Sequence, residues 1–143
     1  MKNKLNAVLE YLVKKLDGKV TRTQLVKYVY LYDLKAKPEG LETGITWKNY
    51  YYGPYSEEVI DALKDMNGYE LIEEQRLNLS SEKFYYLYRK GPVDLEYSLD
   101  KKERSILDRL IEKHKGSTLE ELLEEVYQTN QYQKSDFGEV IPI

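Results

Sequence analysis

The segment Arg22–Ala36 constrains the fold more than any other part of the chain. Leu25, Val26, Tyr28, Val29, Leu31 and Tyr32 recur at helical spacing, and the stripe they form is so wide that a helix built from them needs a central position. Thr21-Arg22-Thr23-Gln24 supplies a capping box at its start, where a hydroxyl and an amide satisfy the first orphan N–H groups. Lys37-Pro38-Glu39-Gly40 ends it, because proline disfavours helix in the residue before it and glycine frees the turn. A chain of 143 residues, 41% hydrophobic and 33% charged, has the length for one core around such a helix. Cysteine is absent, so neither a disulfide framework nor a thiolate metal site supplements packing.

The other elements are predicted around that helix. Leu5, Val8, Leu9, Leu12, Val13 and Leu16 mark one face of a first helix, broken by Asp17-Gly18-Lys19. Residues 45–52 are aromatic and β-branched between Gly44 and Gly53, which predicts a short extended segment. A third helix is expected over residues 56–66 with Val59, Ile60, Leu63 and Met66 on its inner face, closed by Asn67-Gly68. Residues 69–77 and 83–90 flank a polar turn and predict a β-hairpin. After a connector from Gly91-Pro92, Asp100 with Glu103 caps a fourth helix, and Ser117 with Glu120 fits the capping pattern of a fifth. Beyond Thr129 the tail is unpatterned and is expected to wrap or fray. The expected fold is α+β and mainly α-helical, a single domain over residues 1–143. Residues 1–91 have the element order of a winged-helix-like core with the hairpin as wing, residues 92–130 add two helices, and residues 131–143 are tail.

Composition removes several classes of chemistry. One histidine, His114, and no cysteine leave the usual zinc sets unbuildable, and no Asp-rich loop resembles a calcium site. His114 sits between Lys113 and Lys115 at the end of the fourth helix, where positive charge favours the helix dipole, so a structural role is expected. No phosphate-cradling glycine pattern or nucleophile elbow occurs, and Glu57-Glu58, Glu73-Glu74, Glu120-Glu121 and Glu124-Glu125 fit solvated faces better than acid–base pairs. The expectation is a non-enzyme without cofactor or metal. The start lacks a signal peptide's apolar stretch and no window is long enough to span a bilayer, so a cytoplasmic protein without membrane partners is expected.

Net charge is −3, yet Lys and Arg outnumber Asp and Glu nine to three over the first 37 residues, and the remainder is acidic. Tyrosine is unusually abundant, 15 against 2 Phe and 1 Trp. Each ring contributes apolar area while its hydroxyl needs water or a partner, which suits a core rim or a binding surface.

Two segments exceed what generic helix rules require: Leu25-Val26-Lys27-Tyr28-Val29-Tyr30-Leu31-Tyr32-Asp33 and Tyr52-Gly53-Pro54-Tyr55-Ser56. Together they resemble the Panacea family, the SocA-like antitoxin domain of bacteria, archaea and their phages. There a helix with a pattern like K-L-x-Y-L-x-D precedes a Tyr-Gly-Pro-(Val/Tyr)-Ser turn and an amphipathic helix. The resemblance extends through the hairpin and more loosely to the closing helices. Where the family shows Lys-Leu, this chain carries Lys27-Tyr28. The resemblance implies an antitoxin that neutralises a cognate protein toxin by direct contact, with no cofactor, and with Leu25, Tyr28, Tyr30, Leu31, Asp33, Gly53, Pro54 and Ser56 as its motif positions.

The residues themselves fit an architectural role for that turn: Gly53 takes a backbone conformation closed to other residues, Pro54 fixes the exit into the third helix, and Ser56 caps it. The sharper expectation makes Trp47, Tyr50, Tyr51, Tyr52 and Tyr55 an aromatic partner-binding surface, since Tyr and Trp dominate interface hot spots. Such a surface holds a toxin, either blocking it or presenting it to an ATP-dependent protease. The alternative is a winged-helix DNA-binding regulator with Lys19, Arg22 and Lys27 on phosphates. Against it, the third helix displays Glu57, Glu58, Asp61 and Asp65, which repel nucleic acid.

Overall fold

In the computed structural model, which describes residues 2–95 and 99–143, helix α2 (Arg22–Ala36) is buried continuously from Leu25 to Asp33. Its capping box forms as expected, with Gln24 N donating to Thr21 Oγ1 at 3.2 Å and Thr21 N donating to Gln24 Oε1 at 2.9 Å. Helices α1 (Lys2–Lys15), α4 (Lys101–His114) and α5 (Leu119–Tyr127) pack against it. One apolar cluster joins Val8 and Leu12 of α1, Leu25 and Val29 of α2, Leu63 of α3 (Glu57–Met66), Leu107 of α4 and Val126 of α5. The helices after residue 91 therefore share one core with those before it. Met1, part of the apolar-poor start, and residues 96–98, part of the connector after Gly91-Pro92, lie outside the described residues.

The fold is α+β, about half helical, with six helices and small antiparallel sheets among the described residues. Strand β5 (Lys83–Lys90) pairs with β4 (Leu71–Asn78) as the expected hairpin and, on its other edge, with β1 (Val20–Thr21), giving the order β1-β5-β4. With only two residues, β1 carries no periodicity that a sequence pattern could register. Tyr88 of β5 is buried, whereas Leu77 and Phe84 face each other at the exposed tip of the hairpin. No helix among the described residues is long and apolar enough to cross a membrane.

A second, smaller sheet lies where one extended segment was expected. Strand β2 (Lys48–Tyr50) turns back at Tyr51-Tyr52 into β3 (Gly53–Tyr55), pairing Tyr50 with Gly53 and Lys48 with Tyr55. The tail wraps rather than frays. After the short helix α6 (Asn130–Gln133) it runs antiparallel along the free edge of β2. Asn49 N donates to Glu139 O at 2.8 Å, Gly138 N to Asn49 O at 2.7 Å, and Ile141 N to Trp47 O at 2.7 Å. Ile141 is buried at the end of this run.

Two local expectations shift. The cap of α5 is Thr118 with Glu121, one residue beyond the Ser117 and Glu120 expected, because both pairs fit the pattern and the packing of Leu122 and Val126 selects the phase. Pro54 is a strand residue of β3 opposite Asn49, and Tyr55 and Ser56 separate it from α3, whose entry it was expected to fix.

Gly53 is required twice over. Its φ of +92° is open to glycine, and a Cβ at that position would lie 2.8 Å from Cε1 of the Tyr127 ring. Gly53→Ala is expected to lower unfolding free energy by about 2–4 kcal/mol, combining left-handed backbone cost with overpacking. Urea denaturation of that variant, alone and with Tyr127→Ala, checks this: the second substitution should restore the steric part only.

Candidate functional site

The motif residues on α2 serve mainly to anchor irregular backbone. The Asp33 carboxylate is fully buried and accepts three hydrogen bonds: from Thr43 N at 2.8 Å, from the Thr43 hydroxyl at 2.7 Å and from the Trp47 indole N–H at 2.8 Å. Burial pushes its pKa up, and the bonds from Thr43 and Trp47 oppose that shift. Tyr32 donates to Leu41 O at 2.8 Å, and the Tyr30 hydroxyl shares a 2.8 Å bond with Thr129 Oγ1. Tyr30 also meets Trp47 edge-on, with ring centres 5.4 Å apart. Tyr28 lies buried and edge-on to His114 at 6.3 Å, and burial pushes its hydroxyl up to about 12. Leu25 and Leu31 are core residues. His114 is buried with its Nε2 2.6 Å from Glu125 Oε2, tying α4 to α5.

Three expected site residues are corrected by this packing. Trp47, expected on the binding surface, is 1% exposed, because alternation along the strand turns it inward to Asp33 and Tyr30. Lys27, expected on phosphates, is 2% exposed and donates to Pro54 O at 2.7 Å, which joins α2 to β3. Ser56 occupies the N-cap position of α3 without a side-chain cap bond, and its hydroxyl is buried with no hydrogen-bond partner among the described residues.

The same alternation that buries Trp47 and Asn49 exposes Tyr50, and the turn exposes Tyr51 at 76% and Tyr52 at 69%. Phe137 from the wrapped tail, at 59% exposure, stacks on Tyr50 with ring centres 5.8 Å apart and meets Tyr51 edge-on at 5.1 Å. Tyr50 also lies 5.5 Å from the half-buried Tyr55. Four of these rings therefore form one connected, solvent-facing aromatic cluster, with Tyr52 beside it in the turn. Phe137 escaped the sequence reading because nothing in the tail's pattern signals that it returns to β2.

Of the cations expected on nucleic acid, Lys19 alone is exposed and without a partner among the described residues. Arg22 donates to Tyr88 Oη at 2.9 Å and Glu73 Oε1 at 2.6 Å, while its guanidinium lies 3.9 Å from the centre of the Tyr86 ring. The outer face of α3 exposes Glu57, Glu58, Asp61 and Asp65. Among the described residues no group of three or more His, Asp or Glu is placed to hold a metal ion.

Burial lowers the Lys27 ammonium from the ordinary 10.5 to about 8. Between those values the unfolded chain binds the extra proton, so stability rises with pH across that window, by about 3 kcal/mol from this group. Above pH 10 the sign reverses, because buried tyrosines such as Tyr28 keep their protons in the fold while unfolded ones lose theirs. Urea unfolding at pH 7.5 and about 9 should show the native sequence gaining stability relative to Lys27→Met. Ser56→Ala should leave stability unchanged or raise it by about 1 kcal/mol, since it deletes an unpartnered buried hydroxyl; thermal melts check the sign. No protein-family model, curated protein or solved structure matches this chain.

Proposed function

We propose that this protein is a SocA-like antitoxin of the Panacea type, a non-enzymatic domain that holds a cognate protein toxin through the aromatic cluster of Tyr50, Tyr51, Tyr55 and Phe137, with Tyr52 alongside. The single observation that carries this reading is that cluster. Large rings normally lie inside a protein of this size, and adjacent rings exposed together mark a contact surface. Both ends of the cluster are held by backbone pairing, β2 to β3 and β2 to the tail, so the rings are preorganised and lose little freedom on binding.

The placement of the motif supports the family resemblance in a physical way. Lys27 on Pro54 O ties the two motif segments together, and Asp33 holds Trp47 in the run that leads into the second, so their joint occurrence fits one packing arrangement. The element order α1-β1-α2-α3-β4-β5, with sheet order β1-β5-β4, supports a winged-helix-like reading of residues 1–91, with β2 and β3 inserted before α3. Use of that unit on DNA is disfavoured by the burial of Lys27, the pairing of Arg22 and the acidic face of α3. Blocking of the toxin on this surface is the simplest mechanism, and presentation to an ATP-dependent protease in the cytoplasm is compatible with the same contact.

Co-expression with the proteins encoded beside it, followed by tagged capture and a growth-rescue assay, tests the reading. A stoichiometric partner whose toxicity is relieved only in the presence of this protein is the expected outcome. Tyr51→Ala with Tyr52→Ala should weaken that partner's binding at least about 30-fold, with the melting temperature unchanged, as befits hot-spot rings with little packing of their own. Unchanged affinity in that variant excludes the assigned surface. Recovery of DNA at low salt without a protein partner replaces the reading with the regulator.

A further inference from the structure

Beside the aromatic cluster, Thr46, β2, Tyr55, the first turn of α3 and Gly138 of the tail line an open cavity of about 280 Å³. That volume lies just under the range of drug-sized ligand pockets, roughly 300–1,000 Å³, and suits one long side chain. Tyr50 and Tyr55 line it, their rings tilted by 36° with centres 5.5 Å apart. Its rim carries Glu57 and Glu58. Glu58 Oε1 accepts from Thr46 N at 3.0 Å, which orients that carboxylate, and Oε2 takes no bond among the described residues. Glu57 makes no ion pair among them. The hydroxyl of Tyr55 has its pKa raised first by burial and next by the charge of Glu57, so the field of that carboxylate reaches the wall of the cavity.

We infer that this cavity is a pocket for an arginine side chain presented by the protein partner. The inference rests on the aromatic cluster being the contact surface, and it names what the partner brings there. A carboxylate-bearing side chain is repelled by Glu57, Glu58 and, one turn on, Asp61. A purely apolar side chain would bring the rim carboxylates toward low dielectric without a counter-charge. Arginine answers both walls: its planar guanidinium stacks on tyrosine faces and forks onto carboxylates, which the point charge of lysine does less well. Lys48 is the one basic residue on the lining, exposed and with no carboxylate partner among the described residues. It opposes a second cation, but two carboxylates on the lining, Glu57 and Glu58, stand against it, with Asp61 one turn beyond. The adjoining rings of Tyr51 and Phe137 then cover the apolar part of the segment that carries the arginine.

Titration of ¹⁵N-labelled protein with N-acetyl-arginine amide, and separately with the neutral isostere N-acetyl-citrulline amide, tests the pocket. Saturable shifts at the amides of Tyr50, Tyr55, Ser56 and Glu57 are expected with arginine at millimolar dissociation constant, the range of an amino-acid-sized ligand. Citrulline should bind about threefold to tenfold more weakly. Glu57→Gln with Glu58→Gln should weaken arginine by a similar factor, since the amide carbonyl introduced by the second substitution still accepts from Thr46 N and the fold is kept; Lys48→Ala should tighten it. Equal response to the two amides, shifts confined to other regions, or none at all overturns the pocket. These outcomes are independent of toxin capture. Failed capture with arginine-selective shifts overturns the antitoxin reading alone, and intact capture without arginine selectivity overturns the pocket alone.

Discussion

Everything else in this structure depends on the burial of polar side chains along α2. A helix enclosed on all sides by apolar packing would ordinarily carry only apolar residues. This one also buries Lys27 and Asp33, together with the hydroxyl-bearing rings of Tyr30 and Tyr32. Each has a partner outside the helix: Pro54 O, the Thr43 and Trp47 donors, Thr129 and Leu41 O. The chain between residues 37 and 56 is short of regular structure, and buried backbone groups there need partners that no long strand ladder supplies. The central helix supplies them. An apolar replacement at Asp33 would remove the acceptor that the Thr43 and Trp47 donors share, and the Trp47 indole would lose its bond inside the core.

That anchoring decides what the surface presents. Trp47 is pinned inward by Asp33, and because side chains alternate along a strand, Lys48 and Tyr50 are set facing outward. Gly53 then turns the ribbon back under the Tyr127 ring, so Tyr51 and Tyr52 project at its tip. The tail closes the other edge of β2 and brings Phe137 onto Tyr50. A slip of one residue in β2 would exchange the inner and outer sets, so the core and the exposed aromatic cluster are specified by the same register.

Charge follows a similar division. Part of the basic first third of the chain is neutralised or withdrawn from the surface, since Lys27 is interior, Arg22 is held by Glu73 and Tyr86, and Lys14 pairs with Asp94 at 2.8 Å. The acidic side chains of α3, by contrast, face outward beside the aromatic cluster. Exposed rings and carboxylates thus share one face, whose charge opposes phosphate.

Much of this was legible from local patterns. Period and capping chemistry place α2 at Arg22–Ala36, the hairpin strand at Lys83–Lys90 and the Asp100 cap of α4, because those signals are carried by residues within one turn or one strand of each other. The aromatic segment and the motif pair were visible as unusual composition. What the pattern could not say was which rings are buried: Trp47 and Tyr51 belong to the same run, and only the bond to Asp33 sets the phase of alternation. The two-residue β1 and the returning tail were invisible for the same reason, since each is stabilised by partners tens of residues away rather than by its own sequence. The sequence by itself determined the order of α1 to α5, the ends of α2 and the presence of a tyrosine-rich segment, because these rest on short-range geometry. Only the tertiary structure decided that Lys27 and Trp47 are interior, that Phe137 joins the surface rings, and that carboxylates meet aromatics around one cavity, because each depends on contacts between residues far apart in the chain.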